Sequence, residues 1–205
     1  MNGPIKTLFL DIGNVVLSNG WGHEFLPPAA AHFNIDRGEL ETRHASVFDN
    51  YEIGQATLDD YLDLAVFNEP RSFTKKDFTN FMFAQSVALP HHLDFFLALK
   101  RRLNVKVFAV SNEGREIHEY RVAKFGLDDL FDGYISSCYV GLHKPCREIL
   151  RLACDIAHTA PDQGLYIDDR KELVEMATMF GLQALWFQGL DQTKDFLDAY
   201  FKKHR

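Results

Sequence analysis

Cysteine is scarce in this chain, and what there is does not pair. Three cysteines, Cys138, Cys146 and Cys154, occur in 205 residues. An odd count with no Cys-x-x-Cys argues against a disulfide framework and against a cysteine zinc site, and points to reduced thiols in a cytoplasmic protein. Excess positive charge is also lacking. Lys and Arg number 22 against 29 Asp and Glu, a net charge of −7. That balance disfavours a nucleic acid or an anionic membrane as partner, although a phosphate site could still be locally basic. No apolar run approaches the roughly 20 residues that cross a bilayer. The opening stretch Met1–Lys6 has no signal-peptide core and leads directly into a strand-like run. The nine histidines include no His-Glu-x-x-His or comparable metal spacing, and no internal repeat or low-complexity segment is visible.

What is present is ordinary in amount and informative in order. A hydrophobic content of 46% and a charged content of 25% suit a soluble globular protein, and 205 residues suit one core or a core with an insertion. The second half alternates short apolar runs with helical patterns, which predicts a parallel sheet covered by helices. Strands are expected at 105–110, 134–136, 164–167 and 183–187. Helices are expected at 116–125, 147–157, 172–180 and 192–202, the first of these pairing with the strand before it. In the second helix Ile149, Leu150, Ala153 and Ile156 are expected on one face. Gly181 is the expected cap of the third.

Between Leu17 and about Leu89 the pattern changes. Four helix-like segments, near 23–33, 37–49, 57–68 and 74–84, follow one another without a strand, with Asp36 and Thr57 or Thr74 as N-cap candidates. Phe78, Phe81 and Phe83 read as packing. The expected division is an α/β core of residues 1–17 and 88–205 and a helical unit of residues 18–87.

The chemistry sits where apolar runs end. Asp11 follows Thr7-Leu8-Phe9-Leu10, and a carboxylate at the end of a buried strand is costly unless its charge is used. Ser111-Asn112, Lys144-Pro145 and Asp168-Asp169 follow in that order. In a doubly wound sheet the loops at the carboxyl ends of the strands share one edge, so Asp11, Ser111 and Asp168 are expected to meet there. Asp, Ser, Lys and an Asp pair form a full set for phosphoryl transfer through an aspartyl phosphate. Asp11 would attack phosphorus. Mg²⁺, held by the hard oxygens of Asp168 and Asp169, would lie between the two negative groups. Ser111, helped by Asn112, would bind a phosphoryl oxygen, Gly114 would let that loop turn near the ligand, and Lys144 would neutralise Asp11 and phosphate.

With these four motifs in this order, the chain resembles the haloacid dehalogenase-like (HAD) hydrolases, most of which are Mg²⁺-dependent phosphatases. The resemblance implies a Rossmann-like three-layer α/β core with a parallel sheet. It identifies the helical unit with a C1-type cap that closes over the site, and it makes the backbone carbonyl of Gly13 a metal ligand beside Asp11, Asp168 and Asp169. Gly141-Leu142-His143-Lys144-Pro145 matches the family's Gly-x-x-Lys-Pro pattern. The implied function is hydrolysis of a small phosphorylated metabolite, a sugar phosphate by the wording Asp-x-Gly-Asn-Val, in a monomer or homodimer.

One position departs from the family pattern. Two residues after the nucleophile the family carries a second Asp that protonates the leaving oxygen and activates water, and here that position is Gly13. General acid–base help is worth about 10²–10⁴-fold, so a slower phosphatase is expected, favouring good leaving groups or borrowing an acid from the substrate or the cap. His23 is the candidate from the cap. Trp21, Arg43, Tyr51 and Arg71 could touch substrate from the cap, but surface or packing roles are the simpler expectation. Hydrolytic dehalogenation tolerates Gly13 but needs no Mg²⁺, and the retained Asp168-Asp169 pair points the other way; a phosphomutase depends heavily on the missing residue. A receiver-type phosphoacceptor is excluded by motif order and by the helical insertion. A phospho-ligand binder without turnover is the alternative that Gly13 favours.

Overall fold

Alternation of two apolar faces builds the sheet. In the computed structural model, which describes residues 4–203, β1 (Thr7–Leu10) is buried throughout. Of the opening stretch, Met1–Gly3 lie outside the described residues. Leu8 and Leu10 enter one apolar cluster and Phe9 the other; Val107 and Ala109 against Phe108 and Val110, and Leu165 and Ile167 against Tyr166, repeat the pattern. Strands apolar on both faces belong to a parallel sheet covered on both sides. Five parallel strands run in the order β3-β2-β1-β4-β5. The others are β2 (Lys106–Ser111), β3 (Gly133–Ser136), β4 (Gly164–Asp168) and β5 (Gln183–Trp186). β1 lies at the centre, with Leu10 opposite Ala109 on one side and Ile167 on the other.

Four helices, α1 (Leu26–Phe33), α2 (Arg37–Glu52), α3 (Leu58–Ala65) and α4 (Lys75–Ala84), fill the stretch between β1 and the helix that precedes β2. Asp36 accepts a hydrogen bond from Glu39 N at the start of α2, and Thr57 and Thr74 form capping boxes with Asp60 and Asp77. Each such cap is worth about 1 kcal/mol. Trp21, Leu40, Tyr61, Phe78 and Met82 form the insertion's own apolar cluster, against which Phe81 and Phe83 pack. The chain leaves and re-enters the core at one place. There Ser18 N donates to Val87 O (3.0 Å), and Ser18 Oγ accepts from Val87 N and donates to Gln85 O (both 2.9 Å).

The core is completed by α5 (His92–Leu103), α6 (Arg115–Phe125), α7 (Ser137–Val140), α8 (Arg147–Ala157), α9 (Lys171–Phe180) and α10 (Leu190–Lys203). Phe96 and Leu99 of α5 and Leu197 of α10 cover one face of the sheet, and α8 and α9 cover the other. The result is the three-layer, Rossmann-like α/β fold that the sequence predicts. Gly181 ends α9 in the left-handed conformation, φ 107°. The single turn α7 is not predicted from the sequence. Ile156 is a correction. It stands 45% exposed, and the buried stripe of α8 runs through Ile149, Leu150, Ala153, Cys154 and Ala157. The i, i+4, i+8 row from Ile149 fixes that face, and Cys154 joins it from the neighbouring row. No described helix is long and apolar enough to cross a membrane.

Candidate active site

The sheet order brings three strand ends together. Asp11, one residue past β1, donates its N–H to Ile167 O of β4 (3.0 Å). Its Oδ1 accepts from Ile12 N (2.8 Å) and faces Lys144 Nζ at 3.0 Å. Lys144 Nζ also donates to Asp168 Oδ2 at 2.8 Å. Tyr166 OH donates to that same oxygen (2.6 Å), and Arg170 N donates to Asp168 Oδ1 (2.9 Å). Asp169 Oδ2 accepts from Asn14 Nδ2 at 2.9 Å. Asn14 holds a left-handed φ of 53°, a conformation that asparagine tolerates better than most residues.

Oxygen atoms of Asp11, Asp168 and Asp169 all lie within 4.8 Å of one another. Three carboxylates face one ammonium there, with the Arg170 guanidinium at 3.9 Å from Asp168. The titration directions record the imbalance. Burial pushes Asp11 up to about 6, with Asp168 adding repulsion and Lys144 pulling the other way. Burial likewise raises Asp169. Burial works against the ionised form of Asp168 too, but Lys144 outweighs it and holds the carboxyl below its ordinary range. Burial also opposes the Lys144 ammonium, yet Asp11 and Asp168 win and raise it. An all-oxygen, anion-rich cluster of this kind fits a small hard dication and no soft metal.

Ser111, 2% exposed, ends β2 and lines the same cavity. Asn112 lines it too, but its side chain is committed elsewhere: Nδ2 donates to Lys144 O (2.9 Å) and Oδ1 accepts from Lys144 N (2.8 Å). The cavity holds about 320 Å³, the small end of the range for ligand pockets. Its floor is the sheet edge, and Trp21, Glu24, Phe48, Tyr51 and Glu52 line it from the insertion. Arg43 and Arg71 turn away, to Glu39 and to Glu69 and Val66 O. His23 is not among the lining residues; its ring lies 6.4 Å from that of His44.

Two glycines have roles that the sequence did not disclose. A Cβ on Gly114 would lie 2.1 Å from the Tyr51 ring, so this residue makes room for the insertion rather than for a turn: its φ of −65° is open to any residue. A Cβ on Gly13 would meet Asn19 Oδ1 at 2.6 Å. Beside the floor, Glu113 is paired with Arg121 and hydrogen-bonded to His118 Nδ1 at 2.9 Å, all three buried. Arg121 NH2 donates to Ser18 O at 2.6 Å, at the root of the insertion. Tyr166, Arg170, Glu52 and this triad carried no signal in the sequence, since their partners are distant along the chain or lack a fixed spacing. Glu113 could have been suspected from its place beside Ser111-Asn112.

Comparison with known proteins finds the same fold. Over 95% of this chain and 99% of its own, a HAD family enzyme from Bacteroides thetaiotaomicron superposes with a TM-score of 0.81 at 22% identity. That enzyme has also been crystallised in complex with magnesium and inorganic phosphate. The L-2-haloacid dehalogenase of Xanthobacter autotrophicus superposes with a TM-score of 0.61 at 19% identity, covering 88% of this chain and 76% of its own. In sequence, the chain is 28% identical over 204 residues to the drimenol cyclase drtB of Aspergillus calidoustus, a match spanning 96% of this chain and 37% of that protein. A model of the haloacid dehalogenase-like hydrolases matches residues 5–181, and the chain belongs to that family.

Proposed function

We propose that the protein is a Mg²⁺-dependent phosphatase that hydrolyses a small phosphate monoester of sugar-phosphate size through an aspartyl phosphate. The observation that carries this reading is Lys144 Nζ set between Asp11 (3.0 Å) and Asp168 (2.8 Å), with Asp169 completing an all-oxygen cluster. Asp11, Asp168, Asp169 and the carbonyl of Gly13 would hold the ion. When bound, Mg²⁺ supplies the positive charge that lets a carboxylate approach a phosphate dianion.

The chain's own residues do the rest. Ile12 N–H and Lys144 fix the Asp11 carboxylate so that attack on phosphorus starts from one orientation. Lys144 spreads its charge between the nucleophile and the transferring phosphoryl group, and Ser111 gives a hydrogen bond to one of that group's oxygens. The helical insertion acts as a cap: Trp21, Phe48 and Tyr51 exclude water and contact the organic part of the substrate. The magnesium and phosphate complex of the Bacteroides enzyme supports this choice over dehalogenation, which needs no metal for the acidic pair to hold. The fungal relative's cyclisation is not carried over, because this chain spans 37% of that protein. Three unpaired thiols support a reducing, cytoplasmic setting.

The test is p-nitrophenyl phosphate turnover with Mg²⁺, with EDTA, and with Asp11→Asn. Metal-dependent phosphate release that disappears in the variant supports the phosphatase. No turnover above the variant, together with halide release from 2-chloropropionate, would transfer the assignment to a dehalogenase.

A further inference from the structure

Resting on the phosphatase reading, the remaining gap is the proton. An alkoxide leaves phosphorus poorly unless it is protonated as the bond breaks. On the floor, Lys144 is locked between two carboxylates, and Asp168 accepts hydrogen bonds on both oxygens. The acid has to come from elsewhere on the cavity wall.

Asn19 and Glu24 stand at that gap. The Asn19 side chain occupies the space beside Gly13, with Oδ1 2.6 Å from where a Cβ would be. Its Nδ2 donates to Glu24 Oε1 at 2.7 Å. Glu24 Oε2 rests against Gly22, where a Cβ would come within 2.8 Å of it, so glycine at 22 leaves the carboxylate its place. Asn19, Gly22 and Glu24 all line the cavity together with Asp11 and Gly13. Glu24 is exposed, so it can exchange protons with solvent between turnovers.

We propose that Glu24, held by Asn19 beside Gly13, is the general acid and base of this site. As an Asp11 oxygen forms its bond to phosphorus, the bond from phosphorus to the leaving oxygen breaks, and that oxygen takes the proton of the Glu24 carboxylic acid. The Glu24 carboxylate then takes a proton from the water whose oxygen attacks the phosphoryl group. The bond from phosphorus to Asp11 breaks, inorganic phosphate leaves, and Glu24 is again protonated. Asn19 is a positioning residue, acting through its hydrogen bond to Oε1.

The experiment measures kcat/KM and pre-steady-state kinetics on a series of substituted phenyl phosphates, from p-nitrophenyl to unsubstituted phenyl, for the wild type, Glu24→Gln, Asn19→Ala and Glu52→Gln. For Glu24→Gln the expected result is a loss of about 10²-fold or more on phenyl phosphate and under about tenfold on p-nitrophenyl phosphate. A burst of p-nitrophenolate should then precede slow turnover, because the second step also lacks its base. Asn19→Ala should steepen the leaving-group dependence in the same sense, by less. An equal loss across the series, no loss, or a steepening in Glu52→Gln instead would overturn the assignment to Glu24. Unchanged melting of the exposed Glu24→Gln variant separates these outcomes from misfolding. A wild type inert toward every member of the series would overturn the phosphatase reading itself, a result distinct from each of these.

Discussion

Asn112 and Lys144 exchange two hydrogen bonds, side-chain Nδ2 to backbone O at 2.9 Å and backbone N to side-chain Oδ1 at 2.8 Å. The amide thereby fixes the backbone from which the buried ammonium reaches Asp11 and Asp168. On the proposed mechanism Asn112→Ala should lower kcat more than it raises KM, since it loosens the ammonium assigned there to the transferring charge, and Asn112→Asp should do worse by losing the donor. Steady-state kinetics on p-nitrophenyl phosphate read the split.

Removing the ammonium itself leaves carboxylates buried without their partner. Lys144→Met should abolish turnover and, without metal at pH 8, cost about 3–5 kcal/mol of stability. Urea denaturation measures it. Wild-type stability in Lys144→Met would show that solvent reaches the cluster freely.

Glu52 hangs from the end of α2 into the cavity, and burial, with repulsion from Asp49, raises its carboxyl from 4.5 to about 7. A raised carboxyl holds a proton in the folded protein that the unfolded chain has already lost. The Glu52 contribution therefore destabilises the fold progressively as pH rises from about 4.5 to 7. Glu52→Gln should be more stable than wild type at pH 8, by about 1–3 kcal/mol at most, and nearly equal to it at pH 4.5. Paired denaturation curves decide the sign.

Asp11 in the metal-free protein is pushed up to about 6 by burial. Proton and Mg²⁺ then compete for one carboxylate, so Mg²⁺ affinity should weaken as pH falls through about 6, and binding near that pH should release protons. Calorimetry in buffers of different ionisation enthalpy would expose the release. An affinity flat from pH 5 to 8 would remove Asp11 from the ligand set.

Gly114→Ala drives a methyl into the Tyr51 ring. Overpacking of this kind costs about 1–3 kcal/mol. The larger effect should be on KM, because Tyr51 lines the cavity from the insertion. A second substitution, Tyr51→Leu, should recover part of the loss.

How much of this the sequence disclosed depends on the range over which each residue acts. Asp11, Ser111 and Asp168 were legible because each closes an apolar strand, and parallel topology carries strand ends to a common edge. Asp36, Thr57 and Thr74 were legible because caps are local chemistry. Tyr166 was hidden inside an apolar run, where its hydroxyl looked like one more buried aromatic until it met Asp168 two residues on. Glu24 and Glu52 were hidden because orientation over the sheet follows from docking, through contacts such as Ser137 Oγ donating to Glu52 O at 2.7 Å. Gly114 was misread for the same reason: the steric demand comes from Tyr51, 63 positions away.

Helix α6 has a foot in each half of the molecule. Ile117 is packed in the apolar cluster of the insertion, and Arg121 grips the carbonyl of Ser18 at its root, while the helix itself starts four residues after Ser111. The insertion is thus bolted to the same rod that carries the serine loop. A swing of the four helices must either tear Ile117 from its neighbours or pull on that rod, so the placement of the Ser111 loop and the openness of the entrance are geared together.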